Sequence, residues 1–122
     1  MKVVAIIGAS RDRGKFGNKA LRAFRARGYT VIPINPNEPE VEGLKAYASV
    51  CDVKEPIDVA TFFVQPETGE TILGDIAEKG IREVWINPGA ESASLVARAQ
   101  VLGIQPILAC SIIGVGEDPD RY

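Results

Sequence analysis

The chain has 122 residues, 46% of them hydrophobic, which is the size and composition of one domain able to bury a single core. Histidine is absent, which excludes catalysis by Ser-His-Asp or Cys-His groups and a phosphohistidine relay. The two cysteines, Cys51 and Cys110, show no metal-ligand spacing and are too few for a disulfide framework. We therefore predict one domain over residues 1–122 that holds no metal.

The apolar runs are too short to span a membrane, and no charged leader precedes the first of them. The formal net charge of −2, with few aromatic residues among the basic ones, argues against a nucleic-acid partner. We expect a cytoplasmic protein that contacts neither a membrane nor nucleic acid.

The first thirty residues predict a strand, a loop and a helix. Val3–Ile7 is a continuous apolar run, and residues 8–17 form a loop rich in glycine and charge. A helical pattern follows from Asn18, which can cap it, to Gly28, which suits its C-terminal end. Free backbone N–H groups in such a loop and in the first helical turn converge on one point and favour an anion there.

Basic residues are concentrated in the same stretch. Residues 1–30 contain eight basic side chains and one acidic side chain, Asp12, whereas the rest of the chain has six basic and fifteen acidic ones. Arg25 and Arg27 fit a solvated helix end, which favours cations. The remaining excess near the loop predicts a local cationic site in a nearly neutral protein.

Short continuous apolar runs alternate with helical patterns along the rest of the chain. Pro33 lies inside the second strand, where it argues for a local bulge or weak pairing. The predicted strands cover residues 29–34, 44–47, 57–64, 83–87 and 106–110, and the predicted helices run from Pro66 to Gly80 and from the Ser92 cap to Gly103.

This alternation is typical of an α/β fold whose parallel sheet is buried on both faces. We predict a three-layer, Rossmann-like, doubly wound parallel sheet of five or six strands. Numbered along the chain, the strands take the order 3-2-1-4-5, and a sixth would extend the far edge. Ligands of such folds bind at the carboxyl ends of the strands, beside the point where the winding reverses.

Two familiar phosphate-binding motifs fail in the first loop. A Walker loop needs Ser or Thr after its lysine, but Lys15 is followed by Phe16. The dinucleotide fingerprint needs glycines where Ser10 and Arg13 stand, and the second strand ends in Asn35 rather than a carboxylate. The sequence therefore disfavours an NTPase and an ordinary NAD dehydrogenase.

Several segments together resemble the small stand-alone CoA-binding proteins, a family similar to the N-terminal CoA-binding domain of the succinyl-CoA synthetase α subunit. The resemblance covers nearly the whole chain and implies a Rossmann-like fold whose first loop wraps the phosphates of coenzyme A. The segments are Gly8-Ala9-Ser10, Lys15-Phe16-Gly17-Asn18, Val31-Ile32-Pro33-Ile34-Asn35-Pro36, Pro56-Ile57-Asp58-Val59, Val84-Trp85-Ile86-Asn87-Pro88-Gly89-Ala90 and Cys110.

Coenzyme A carries several negative charges on its phosphates, which suits a cationic loop at a helix start. We assign backbone or hydroxyl contacts with the pyrophosphate to Gly8, Ala9 and Ser10, and phosphate charge to Arg11, Lys15 and Lys19, within a loop completed by Phe16, Gly17 and Asn18. By resemblance, Asn35, Pro36, Asn37, Val64, Gln65 and Pro66 would flank the nucleotide, and Asn87, Pro88 and Gly89 the pantetheine. Cys110 ends the last predicted strand, where the pantetheine thiol could approach it.

The resemblance does not imply an activity for this chain, because the synthetase transfers phosphate through a histidine of another domain. We therefore expect a protein that binds CoA or an acyl-CoA and has no catalytic machinery of its own. An enzyme that uses NAD(P) or a nucleotide is one alternative, and a regulatory or docking subunit with an unidentified protein partner is another.

Overall fold

The computed structural model describes residues 2–122. Short 3₁₀ helices at Val50–Asp52 and Pro119–Arg121 supplement the main elements. In chain order these elements are β1 (Val3–Ile7), α1 (Phe16–Ala26), β2 (Thr30–Ile34), β3 (Glu40–Val41), β4 (Leu44–Lys45), β5 (Val59–Phe62), α2 (Pro66–Lys79), β6 (Glu83–Ile86), α3 (Ala93–Val101), β7 (Gln105–Leu108) and α4 (Ser111–Gly114).

Five parallel strands form the main sheet in the order β2-β1-β5-β6-β7. The α/β, Rossmann-like fold is the one predicted from the sequence, and β7 is the additional strand at the far edge. No helix formed by residues 2–122 is both long and apolar enough to cross a membrane.

The sheet is covered on both faces because successive side chains of a strand point in opposite directions. In β1, Ala5 and Ile7 join the core beneath α2 and α3, while Val4 and Ile6 join the core beneath α1 and α4. The continuous apolar runs that indicated a parallel sheet are thus explained by burial on two sides.

The segment expected as a third strand of the main sheet is different in the structure. Leu44–Lys45 pairs antiparallel with Glu40–Val41 in a separate hairpin, and Tyr47 alone bridges to Ile34 at the outer edge of β2. The hairpin turn contains Glu42 at φ 50° and Gly43 at φ 78°. This hairpin lies beside the first loop, because the Glu42 carboxylate of its turn lies 3.6 Å from Arg13.

Pro33 causes neither the bulge nor the weak pairing predicted for it, since β2 pairs with β1 without interruption from Thr30 to Ile34. The N–H of Thr30 donates to the Lys2 carbonyl. The backbone N–H groups of every second residue after Thr30 therefore point toward β1, and the nitrogen of Pro33 points to the outer edge. The N–H of Gln105 donates to the Arg82 carbonyl on the side of β6, so the nitrogen of Pro106 points to the outer edge of β7. Both prolines are tolerated because the bond that they cannot donate lies on an outer edge.

Most predicted helix ends are confirmed. Pro66 is the first residue of α2, the Ser92 hydroxyl caps α3 by accepting from the Leu95 N–H at 3.0 Å, and Gly28 follows α1 at φ 87°. The cap predicted at Asn18 is wrong. The first helix begins two residues earlier, at Phe16, with Lys15 at the cap position and no side-chain cap.

Candidate functional site

A cleft of about 430 Å³ opens at the carboxyl ends of β1, β5 and β6. It lies where the winding reverses, because α1 follows β1 on one face of the sheet and α2 follows β5 on the other. The residues that line it are Gly8, Gly14, Lys15, Phe16, Gly17, Phe63, Val64, Gln65, Pro88, Gly89 and Ala90.

Close backbone packing forms the base of the cleft. Gly8 has φ 92°, and a Cβ built there would lie 3.0 Å from both the Phe63 carbonyl oxygen and a Val64 methyl group. A Cβ on Gly17 would overlap the Gly8 carbonyl oxygen, so the first turn of α1 rests directly on the end of β1. Glycine at both positions lets the start of the helix reach the switch point of the sheet.

The start of α1 supplies unpaired donors at this cleft. Phe16 and Gly17 are its first two residues, so their N–H groups have no acceptor within the helix. The helix dipole adds partial positive charge at the same place. Lys15 is exposed at the cleft and makes no ion pair with any residue that the structure describes. These groups together favour an anion.

Several other basic residues among the first thirty contact acidic side chains or an aromatic ring of the protein itself. Fewer of them are free for a ligand than the charge count suggested. Arg11 lies 3.6 Å from the Glu38 carboxylate and Arg13 lies 3.6 Å from Glu42. Lys19 lies over the Phe16 ring, with its Nζ 5.3 Å from the ring centre. Of the three predicted phosphate cations, Lys15 lines the cleft, whereas Arg11 and Lys19 lie outside its lining.

Asn18 holds the first loop in place. It is completely buried, and its amide donates to the Ser10 carbonyl at 2.8 Å and to the Glu42 carboxylate at 3.2 Å. Its side-chain oxygen accepts a hydrogen bond from Arg22 Nε at 2.7 Å. Asn35 supports the loop from the other side by donating to the Ala9 carbonyl at 2.7 Å.

A second, smaller pocket of about 260 Å³ adjoins the cleft and shares Phe16, Phe63 and Pro88 with it. The sequence placed Cys110 at the end of the last strand, but β7 ends at Leu108 and Cys110 is the cap residue of α4. The pocket is lined by Phe16, Phe63, Asn87, Pro88, Cys110 and Pro119.

Asn87 is the centre of a buried hydrogen-bond network rather than a free polar group. Its amide donates to the Thr61 hydroxyl at 2.6 Å and to the Phe62 carbonyl at 2.9 Å. Its side-chain oxygen accepts from the Ser111 N–H at 2.8 Å and from the Ser111 hydroxyl at 3.1 Å. These bonds connect β5, the end of β6 and the start of α4.

The segment after α4 brings Pro119 to the pocket. Glu117 lies 3.6 Å from both Arg27 and Arg121. The Tyr122 phenol donates to the Glu117 carboxylate at 2.7 Å, and this hydrogen bond, with burial, raises the pKa of Tyr122 above its ordinary value. Arg22 donates to the main-chain oxygen of Tyr122 at 2.9 Å and so ties this segment to α1.

The structure brings together about half of the residues predicted for the site. Gly89 lines the cleft, but its N–H donates to the Glu91 carboxylate at 3.1 Å and 3.2 Å. Ten predicted residues line the cleft or the pocket, namely Gly8, Lys15, Phe16, Gly17, Val64, Gln65, Asn87, Pro88, Gly89 and Cys110. Nine others lie outside both linings, namely Ala9, Ser10, Arg11, Asn18, Lys19, Asn35, Pro36, Asn37 and Pro66.

Four lining residues were missed by the sequence analysis: Gly14, Phe63, Ala90 and Pro119. Gly14 lies inside the loop already singled out, and Phe63 was missed because the strand predicted to run to residue 64 ends at Phe62. Ala90 follows directly on the predicted Asn87-Pro88-Gly89 segment. Pro119 carried no local signal, because it reaches the pocket through the fold of the last residues.

Away from the cleft, Cys51 Sγ lies 4.0 Å from the Glu78 carboxylate and near Asp75, and the ligand atoms of the three lie within 4.8 Å of one another. The two acids come from α2, one turn apart, which the spacing of the cysteines could not reveal. None of the three lines the cleft or its adjoining pocket.

The fold is a Rossmann-like α/β domain with a cleft at its switch point whose groups favour an anion. A family described as the CoA binding domain matches residues 2–117. The chain belongs to this family of CoA-binding domains, and the resemblance stated from the sequence is confirmed.

The chain matches a short segment of a much longer enzyme. It is 37% identical over 81 residues to an ADP-forming acetate–CoA ligase of Methanocaldococcus jannaschii, which covers 66% of this chain and 12% of the ligase. The chain therefore spans about an eighth of that relative's length.

Two solved structures match most of this chain, but over very different shares of their own length. A conserved hypothetical protein of Pyrococcus furiosus has a TM-score of 0.87 and 33% identity, over 93% of this chain and 99% of that one. The dinucleotide-forming acetyl-coenzyme A synthetase 1 of Ca. Korarchaeum cryptofilum, in complex with phosphate and ADP, has a TM-score of 0.78 and 30% identity, over 89% of this chain and 26% of that one.

Proposed function

We propose that this protein binds coenzyme A or an acyl-CoA non-covalently at the carboxyl ends of its strands, as a single cytoplasmic domain without catalytic machinery of its own. The observation that carries the proposal is that the cleft and the adjoining pocket differ in chemical character. One has an open helix N-terminus and an unpaired lysine, and the other is apolar. Coenzyme A has the matching pair of ends, anionic phosphates and an uncharged pantetheine arm.

The proposed pose places the pyrophosphate against residues 8–18, near the first turn of α1 and Lys15. Asn35, Pro36 and Asn37 with Val64, Gln65 and Pro66 flank the nucleotide, and the pantetheine passes Pro88 and Gly89 toward Cys110. Ala9, Asn18 and Asn35 contribute by shaping the loop, since Ala9 and Asn18 are completely buried and Asn35 bonds to the Ala9 carbonyl. Membership of the CoA-binding family supports this ligand.

A thermal-shift panel tests the ligand. We expect CoA to raise the melting temperature more than NAD, NADP or ATP at equal concentration, because the loop lacks both competing fingerprints. A ligand that binds only the folded state at about a hundred times its Kd adds about 2.7 kcal/mol to the free energy of unfolding. Stabilisation by NAD in the absence of any effect of CoA would overturn the proposal.

Lys15→Ala should weaken CoA binding by about 1.5–3 kcal/mol, because the variant loses a charge-assisted hydrogen bond to a phosphate. Binding should also become less sensitive to salt, since one screened attraction is gone. Titration calorimetry at two salt concentrations measures both effects.

Arg11→Ala should have a smaller effect than Lys15→Ala, because Arg11 is paired with Glu38 and lies outside the cleft lining. Lys54→Ala is the matched control, since Lys54 is an exposed lysine that lines neither the cleft nor the pocket. Equal affinities in Lys15→Ala and Lys54→Ala would remove Lys15 from the phosphate site.

A further inference from the structure

We propose that the 260 Å³ pocket beside the cleft receives the acyl group of a CoA thioester, so that the preferred ligand is an acyl-CoA with a short, uncharged, apolar acyl group. This inference rests on the proposed function, because it assumes that the phosphates of CoA occupy the cleft. It adds the chemical class of the ligand, which neither the family nor the fold specifies.

The pocket continues the proposed path of the ligand. Phe16, Phe63 and Pro88 line both spaces, so the pocket lies directly beside the cleft. Cys110 and Pro119 line the pocket but not the cleft. A chain whose phosphates lie at Lys15 and which passes Pro88 therefore brings its thioester end to this pocket.

The lining of the pocket offers no partner to a charged acyl group. Five of its six lining residues are Phe, Pro or Cys, and none of the six is charged. The sixth, Asn87, has its amide and its side-chain oxygen bonded to Thr61, Phe62 and Ser111. A carboxylate placed here would lose its water without gaining an oppositely charged side chain, which is costly, whereas methyl and methylene groups gain from leaving water.

The size of the pocket limits the length of the acyl group. Its 260 Å³ corresponds to the liquid volume of roughly nine water molecules at about 30 Å³ each. About nine heavy atoms fill such a space, so an acyl group of a few carbons fits together with the end of the pantetheine arm, and a long fatty acyl chain would extend out of it. Phe16, which is 53% exposed at the junction of the two spaces, would be covered by the bound chain.

Titration calorimetry with CoA, acetyl-CoA, butyryl-CoA, hexanoyl-CoA and succinyl-CoA tests this inference. Affinity should increase by about fourfold for each methylene group that is buried, until the pocket is filled. Succinyl-CoA should bind more weakly than butyryl-CoA, which has the same number of acyl carbons and no carboxylate.

A substitution in the pocket provides a second measurement. Cys110→Leu adds bulk to the lining, so the ratio of the CoA dissociation constant to that of butyryl-CoA should fall toward one. Cys51→Leu is the matched control, since Cys51 is exposed and lies outside the pocket, and it should keep the ratio of the unsubstituted protein. The ligand series on the unsubstituted protein decides the matter if Cys110→Leu does not fold.

The outcomes separate this inference from the proposed function. Equal affinities for CoA, butyryl-CoA and succinyl-CoA would overturn the acyl pocket and leave CoA binding intact. Tighter binding of succinyl-CoA than of butyryl-CoA would also overturn it. Failure of every CoA compound to bind would overturn the proposed function itself.

Discussion

Gly17→Ala should lower the free energy of unfolding by about 3 kcal/mol or more, as expected for overpacking against an atom that cannot move aside. The added methyl group would overlap the Gly8 carbonyl oxygen and lie 3.2 Å from the Gly8 carbonyl carbon and 3.4 Å from the Ala9 Cα. All three atoms belong to the backbone, so relief requires α1 to move away from the end of β1. Urea unfolding of the two proteins measures the loss.

Gly74→Ala is the matched control, because Gly74 lies in α2 with a conformation that alanine readily adopts, and beyond the adjoining residues and backbone of its own helix no atom lies within 4 Å of the new methyl group. This variant should be more stable than the original protein by about 0.5–1 kcal/mol, the usual gain of alanine over glycine in a helix. If Gly17→Ala also gained stability, the close approach of α1 to Gly8 would be refuted.

Asn87→Ala should lower the free energy of unfolding by about 3 kcal/mol, because it removes the hydrogen bonds of Asn87 from a buried network and leaves the Ser111 N–H without its partner. The Ser111 N–H and the Thr61 hydroxyl both lose hydrogen bonds, and Asn87 itself is only 3% exposed. The start of α4 should become less ordered as well. Amide hydrogen exchange at Ser111 should therefore be faster in the variant.

Asn37→Ala makes the same chemical change at an exposed position whose side chain is not part of this network. It should change stability by no more than about 0.5 kcal/mol, which is usual for such surface sites. Similar losses in both variants would show that the Asn87 network contributes nothing specific to stability.

The elements whose signals are local could be predicted from the sequence. Pro66 and Ser92 at helix starts and Gly28 after a helix end act through their own backbone geometry or their nearest neighbours, so no knowledge of the fold is needed. The strands of the main sheet were found for a related reason, since burial on both faces requires continuous apolar runs. The choice of fold then followed from their alternation with helices.

The features that depend on distant residues could not be predicted in this way. Asn18 looked like a helix cap because its partner Glu42 lies 24 positions away, on a hairpin that the sequence left irregular. Arg13 pairs with the same Glu42, which lies outside the first thirty residues. A count of charges within those thirty residues therefore overestimates the positive charge near the loop. Cys110 was placed at a strand end because β7 stops at Leu108, two residues before the apolar pattern does.

The two prolines at the sheet edges affect how this protein behaves at high concentration. An open strand normally presents a row of N–H and C=O groups on which another chain can add a strand, and this is a common start of aggregation. Here Pro33 and Pro106 each interrupt that row, one on β2 and the other on β7. On β2 the bonds between Tyr47 and residues 33 and 35 occupy part of the same edge, so both sides of the sheet resist extension by a neighbouring molecule.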